Sequence, residues 1–134
     1  MTKEFPLQSK GFHPFGDLIG LEFTKHEKGY SQCTLQITPE LFNPHQVLHG
    51  GVLYSMADTG MGAALYSSLE TGELCVTVEI KITYFKPVSK GILICDTRVV
   101  NRGKRISTLE SEIFSDGILV SKAYGTFSIF QVKK

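Results

Sequence analysis

A run of small and apolar residues at helical spacing, set in a chain otherwise patterned for strands, most constrains how this polypeptide can fold. From about Gly50 to Ser68, the residues Leu53, Met56, Ala57, Gly60, Met61, Ala64 and Leu65 recur on a single helical face. Gly60 and Gly62 each cost a helix about 1 kcal/mol relative to alanine, so they call for a compensating close approach, such as a sheet curled around the helix.

Strand patterns surround this helix. Leu18–Lys25 and Tyr30–Thr38 flank Glu27-Lys28-Gly29, which suits a hairpin turn. Pro39–Asn43 fits a single helical turn that Pro44 discourages from continuing. Beyond the helix, Leu74–Phe85 alternates, with Val76, Val78, Ile80, Ile82 and Tyr84 on one face and Thr77, Glu79, Lys81, Thr83 and Phe85 on the other. Three further strands are expected at Ile92–Val100, about Lys104–Phe114 and Ile118–Phe130, the last two joined by an Asp116-Gly117 hairpin turn. The expected order is two strands, a long central helix, and four strands in an antiparallel meander, since parallel neighbours need long crossovers. Residues 1 to about 16 show no period and read as a loose arm.

A chain of 134 residues with 42% hydrophobic content fits a single domain spanning residues 1–134. Fourteen basic against 13 acidic residues leave a net charge of +1, which gives no global electrostatic case for binding nucleic acid or a membrane surface. The stretch Met1–Lys10 lacks the apolar core of a signal peptide, and no run approaches the ~18 apolar residues of a membrane span, so a cytoplasmic protein is expected. Cys33, Cys75 and Cys95 lie among apolar or β-prone residues and read as buried free thiols.

The chemistry concentrates in Asn43–Asp58, a loop that breaks into the helix. A helix beginning at Gly50-Gly51 presents unpaired N–H groups backed by the positive end of the macrodipole, which suits a developing negative charge. An isolated helical aspartate is usually solvated, but Asp58 sits among Met56, Ala57, Gly60 and Met61 with no basic residue within a turn. A carboxylate at the edge of an apolar surface is reluctant to ionise, which suits a general base or acid. Gly50 and Asp58 are eight residues apart, or about 12 Å along a helix. Both acting on one reacting group implies that they come from different subunits of a symmetric dimer.

Other sites are less specific. His49 reads equally as a backbone-bonded residue before a helix or as a functional group. His13, His26 and His45 lack metal-triad spacing, and no HExxH, CxxC or GxSxG occurs, so neither a metal nor a cofactor is expected. The basic residues Lys86, Lys90, Arg98, Arg102, Lys104 and Arg105 read first as a solvated strand surface, while the short turn Arg102–Arg105 suits the phosphates of a bulky ligand.

Asn43, His49-Gly50-Gly51 and Asp58, followed by Val76–Pro87, resemble the hotdog-fold acyl-CoA thioesterases of the phenylacetate-pathway (PaaI-like) type. The resemblance covers roughly residues 15 to 130. It implies an α+β hotdog fold, an antiparallel sheet of five to six strands wrapped around one long central helix, with subunits paired edge to edge and dimers stacked into a homotetramer. It further implies that Gly50 N–H polarises a thioester carbonyl while Asp58 of the other subunit activates water or attacks directly. Asn43 then orients the nucleophile, His49 and Gly51 lie at the thioester end of the substrate, and the Thr77 hydroxyl binds the attacking water. Arg102, Lys104 and Arg105 are the candidates for the nucleotide end of CoA. One departure stands out: the family commonly has glycine three residues after the asparagine, where this chain has Gln46. A hydroxyacyl thioester dehydratase on the same scaffold usually carries a helix glutamate and a proline-rich loop, unlike this chain. A non-catalytic acyl-CoA sensor needs an attached DNA-binding module, for which there is no spare helix-turn-helix.

Overall fold

The computed structural model describes residues 5–7 and 11–132. The long helix α2 spans Gly50–Tyr66, and all seven residues of the expected apolar face are buried in it. A short helix α1 (Pro14–Ile19) precedes six strands: β1 (Leu21–Glu27), β2 (Tyr30–Gln36), β3 (Glu73–Tyr84), β4 (Ile92–Arg102), β5 (Ile106–Ser115) and β6 (Ile118–Gln131). They form one antiparallel sheet in the order β1-β2-β4-β5-β6-β3, and α2 touches every strand of it. A single helix in contact with six strands requires the sheet to curl around it. The helix buries its apolar face there, and each fully buried Leu or Met contributes about 1.5–3 kcal/mol.

Gly60 supplies the close approach its sequence position calls for. A Cβ there would meet Thr97 Oγ1 on β4 at 2.5 Å. Gly62 is different: nothing within 4 Å would touch a Cβ on it. The sheet side of α2 also carries polar pins. Ser31 donates to Gly60 O (2.7 Å), Ser111 to Ala57 O (3.1 Å), and the thiols of Cys33 and Cys95 both point at Met56 O. Hydrogen bonds to helical carbonyls from fixed strand positions set the rotation of α2 as well as its depth. Cys33 and Cys95 are buried thiols paired in register across β2 and β4.

Three features differ from the sequence expectations. Residues read as a loose arm carry α1, because Pro14 starts the helix, His13 Nδ1 caps it by accepting from Gly16 N, and Gly20 closes it in the left-handed region (φ 83°). Strand β1 therefore begins at Leu21 rather than Leu18. The arm reading at residues 1–4 and 8–10, and most of the stretch weighed as a leader, lie outside the described residues.

The meander is also interrupted. Strands β4, β5 and β6 follow one another, but β3 pairs with β6 at the far edge and β4 pairs with β2. The β3–β4 connection crosses the end of the sheet, where Val88 O accepts from Leu48 N and Gly91 O from Ile37 N.

The third difference is a β-bulge. Thr77 lies opposite Phe127 and Glu79 opposite Thr126, so Val78 is the extra residue in β3. The alternation changes phase there. Cys75 and Thr77 share the helix-facing side with Ile80 and Ile82, whereas Val76 and Val78 are 51% and 57% exposed. Strict alternation placed those two valines with the isoleucines; the bulge separates them.

Candidate active site

The loop ahead of α2 is tightly specified. Asn43 Oδ1 accepts from His45 N (2.8 Å) and Val47 N (3.4 Å), and Asn43 N donates to Val47 O at 2.8 Å. These bonds engage the carboxamide oxygen and leave the Nδ2 hydrogens as donors without an acceptor among the described residues. Gln46 sits at φ 69°, in the left-handed region that glycine enters without penalty. The departure from the family pattern is thus one of residue type, while the backbone bends as glycine would. Further along, Leu48 is tied to Val88 O and His49 N donates to Leu41 O at 2.9 Å.

The helix N-terminus has a specific division of labour. His49 is the N-cap, and its Nδ1 accepts from Gly51 N at 2.8 Å, so the ring is neutral with its hydrogen on Nε2. His49 O accepts from Val52 N at 2.9 Å. Tyr84, at the end of β3, donates its hydroxyl to Gly50 O at 2.8 Å. The peptides on both sides of Gly50 are therefore held, and Gly50 N–H has no acceptor among the described residues. A Cβ on Gly50 would come within 3.1 Å of the Tyr84 ring, which gives a packing reason for glycine there. Burial pushes the Tyr84 phenol up, with electrostatic interaction with Tyr54 a second contribution, which keeps the hydroxyl a donor.

Two turns further on, Asp58 is half-buried and accepts from Thr77 Oγ1 at 2.6 Å. The Val78 bulge aims the threonine inward at this point. The Asp58–Thr77 pair lines a cavity of about 220 Å³ together with Gly62, Tyr66, Phe12 and Phe127. With one short hydroxyl bond accepted at Oδ1, the Asp58 carboxyl group keeps lone pairs for a water molecule, and the threonine oxygen can accept from the same water. Gly50 and Asp58 occupy one uninterrupted helix, so their separation of about 12 Å along it stands.

The basic turn is divided. Arg102 is drawn into structure: Nη1 donates to Gly103 O (2.7 Å), and Nη2 to Ser68 O (2.9 Å) and Glu73 Oε1 (3.0 Å), tying the turn after β4 to the end of α2. Lys104 and Arg105 are exposed. Sequence reasoning missed Tyr84, because only the placement of β3 at the sheet edge brings it to Gly50. It also missed Phe5 and Phe12, which fell in the aperiodic N-terminal stretch.

No helix among the described residues is long and apolar enough to cross a membrane. Comparison with known proteins matches residues 45–122 to the thioesterase superfamily. The acyl-coenzyme A thioesterase PaaI of Escherichia coli is 28% identical over 116 residues, 86% of this chain and 76% of that protein. A conserved protein of Pseudomonas aeruginosa of known structure superposes with a TM-score of 0.85 at 34% identity, covering 88% of this chain and 94% of that one. A thioesterase of Haemophilus influenzae superposes with a TM-score of 0.91 over 99% of this chain and 96% of its own; at 23% identity this likeness speaks for the fold.

Proposed function

The chain belongs to the thioesterase superfamily, as a hotdog-fold member of the PaaI-like type, and from that premise we propose that it hydrolyses acyl-CoA thioesters to free CoA and a carboxylic acid. The observation that carries this reading is the Asp58–Thr77 pair at a cavity, on a helix whose first residue keeps an unpaired N–H.

In the proposed reaction, Gly50 N–H donates to the thioester carbonyl oxygen as negative charge develops on it. A preorganised donor of this kind is worth about 3 kcal/mol. Asp58 of the partner subunit takes a proton from water as the water oxygen forms the C–O bond, and that proton passes to the departing sulfur as the C–S bond breaks; in the direct route Asp58 itself forms the C–O bond, giving an acyl anhydride that water then hydrolyses, and in both CoA leaves as the thiol. A positioned base adds about 10²–10⁴-fold in rate. Thr77 holds Asp58 and the water, Asn43 Nδ2 orients the nucleophile, and His49 Nε2–H faces the thioester end. Gly51 gives its N–H to His49 and thereby keeps that ring in place. Lys104 and Arg105 meet the phosphates of CoA, and Arg102 supports the turn that carries them.

The two-subunit site assumes a homodimer paired along β3, stacked into a homotetramer. Support comes from β3 itself, an edge strand with no strand paired to its outer side among the described residues and with exposed valines along it. No cofactor enters the scheme.

The test is free-thiol release from a panel of short, medium, branched and aryl acyl-CoAs, run beside Asp58→Asn. The parent is expected to hydrolyse members of the panel and the variant to lose at least about 100-fold. A folded, oligomeric Asp58→Asn protein that hydrolyses as fast as the parent refutes the assignment.

A further inference from the structure

The cavity beside Asp58 is lined by rings from outside the region that matches the superfamily, together with one from within it, Tyr66. Phe5 and Phe12 come from the N-terminal stretch, Phe23 from β1 and Tyr66 from the last turn of α2. Phe5 packs edge to face on Phe12 (5.5 Å), Phe23 (4.8 Å) and Tyr66 (5.7 Å), and Phe12 meets Tyr66 at 6.1 Å. The cluster is anchored to the catalytic helix. Phe5 stacks on His26 at 4.4 Å, and His26 Nε2 donates to Ala63 O on α2 at 2.7 Å.

Two further observations say what such a chamber takes. Its helix wall is bare at Gly62, where nothing within 4 Å would touch a Cβ, so a flat group can lie against the backbone. Its volume of about 220 Å³ exceeds the ~150 Å³ of an apolar cavity that binds benzene, which leaves space for one ring and a short linker. A second cavity of about 400 Å³ lies behind it, walled by α1 and β1, and the two share Phe12, His13 and Phe23. Phe12 and Phe23 stand between the chambers.

We infer that Phe12, with Phe5 packed edge to face against it, is the end wall of the acyl site, restricting the Asp58 chamber to short or single-ring acyl groups and keeping longer chains out of the second chamber. This rests on the thioesterase reading for the chemistry but on the ring geometry for the selectivity. Phe12 is 44% exposed, so truncating it leaves the buried core intact. Removing a well-packed ring from a specificity wall changes discrimination by about tenfold or more.

The experiment compares parent, Phe12→Ala and Phe12→Leu. Phenylacetyl-CoA and decanoyl-CoA are assayed by thiol release, and S-phenacyl-CoA and S-decyl-CoA, thioethers that no hydrolase cleaves, are titrated by calorimetry. In Phe12→Ala the decanoyl to phenylacetyl ratio of kcat/KM should rise at least about tenfold, with a parallel shift in thioether affinity, and Phe12→Leu should fall between. Equal changes for both acyl groups, or none, overturn the inference. A parent that cleaves neither ester yet shows the thioether shift on truncation refutes the hydrolase and keeps the wall; a parent that cleaves the esters with an unmoved ratio keeps the hydrolase and refutes the wall.

Discussion

Thr77 on β3 donates its hydroxyl to Asp58 Oδ1 on α2 at 2.6 Å, and it can do so only because the extra residue Val78 shifts the phase of the strand. A hydrogen bond to a charged acceptor contributes about 1.5–3 kcal/mol, so Thr77→Val should lower kcat by about 10- to 100-fold while Thr77→Ser stays near the parent. Steady-state kinetics with the best acyl-CoA of the panel checks this. A Thr77→Val enzyme with parental kcat shows that the pair has no part in turnover.

Gln46 carries a conformational cost. A non-glycine residue in the left-handed region costs about 1–2 kcal/mol, and glycine returns part of that gain as extra chain entropy lost on folding. Gln46→Gly should therefore raise stability by about 0.5–1 kcal/mol, and Gln46→Val should lower it by more than that, since a β-branched residue fits this region worst. Urea denaturation of the three proteins measures both signs.

The two helical glycines should respond in opposite directions. Gly60→Ala forces a methyl group against Thr97 and should cost about 1–3 kcal/mol of overpacking. Gly62→Ala meets nothing within 4 Å in this chain and should gain about 1 kcal/mol of helix propensity. Because Gly62 lines the Asp58 cavity, the same substitution should raise KM for aryl substrates. Thermal denaturation and kinetics together separate the effects.

Tyr30 provides a pH signature for the β2–β4 pairing. Burial, then its 2.6 Å bond to Asp96 and that carboxylate's charge, push the phenol up to about 12, against the opposing pull of Arg98 over its ring. The folded state favours the neutral phenol, so the associated stability is fully present below the ordinary value of 10.0 and is lost as pH rises through about 12. Phenolate absorbance should show a last step that Tyr30→Phe removes. A titration in which that step survives the substitution contradicts the assignment.

Much of this was legible in the chain because it is local. The helix declares itself through residues three and four apart, and Asp116-Gly117 marks the β5–β6 hairpin directly. Helix α1 was legible too, in Pro14 at its first position and Gly20 after its end, but Leu18-Ile19-Gly20-Leu21 resembles a strand entry more strongly. What stayed hidden depends on distant partners. Nothing in Val76-Thr77-Val78-Glu79 announces a bulge, because the extra residue is defined by Phe127 and Thr126 across the ladder. The place of β3 beyond β6 likewise decides that Tyr84 reaches Gly50. The bonds that Arg102 makes to Ser68 O and Glu73 are also set by residues about 30 positions away and cannot be read from the turn itself.

In the proposed reaction Gly50 and Asp58 serve different halves of each site. Gly50→Pro deletes the N–H at the first helical position, where proline is favoured, and His49 already has the backbone (φ −63°, ψ 131°) that a residue before proline adopts. The exposed Tyr84 ring has room to yield by the few tenths of an ångström required. Gly50→Pro and Asp58→Asn should each be inactive alone. Unfolded together in equal amounts and refolded, they should regain about a quarter of parental activity, since half the dimers are mixed and each mixed dimer rebuilds one of two sites. A mixture that forms mixed dimers yet remains as inactive as its components would place both groups in one chain and contradict the account.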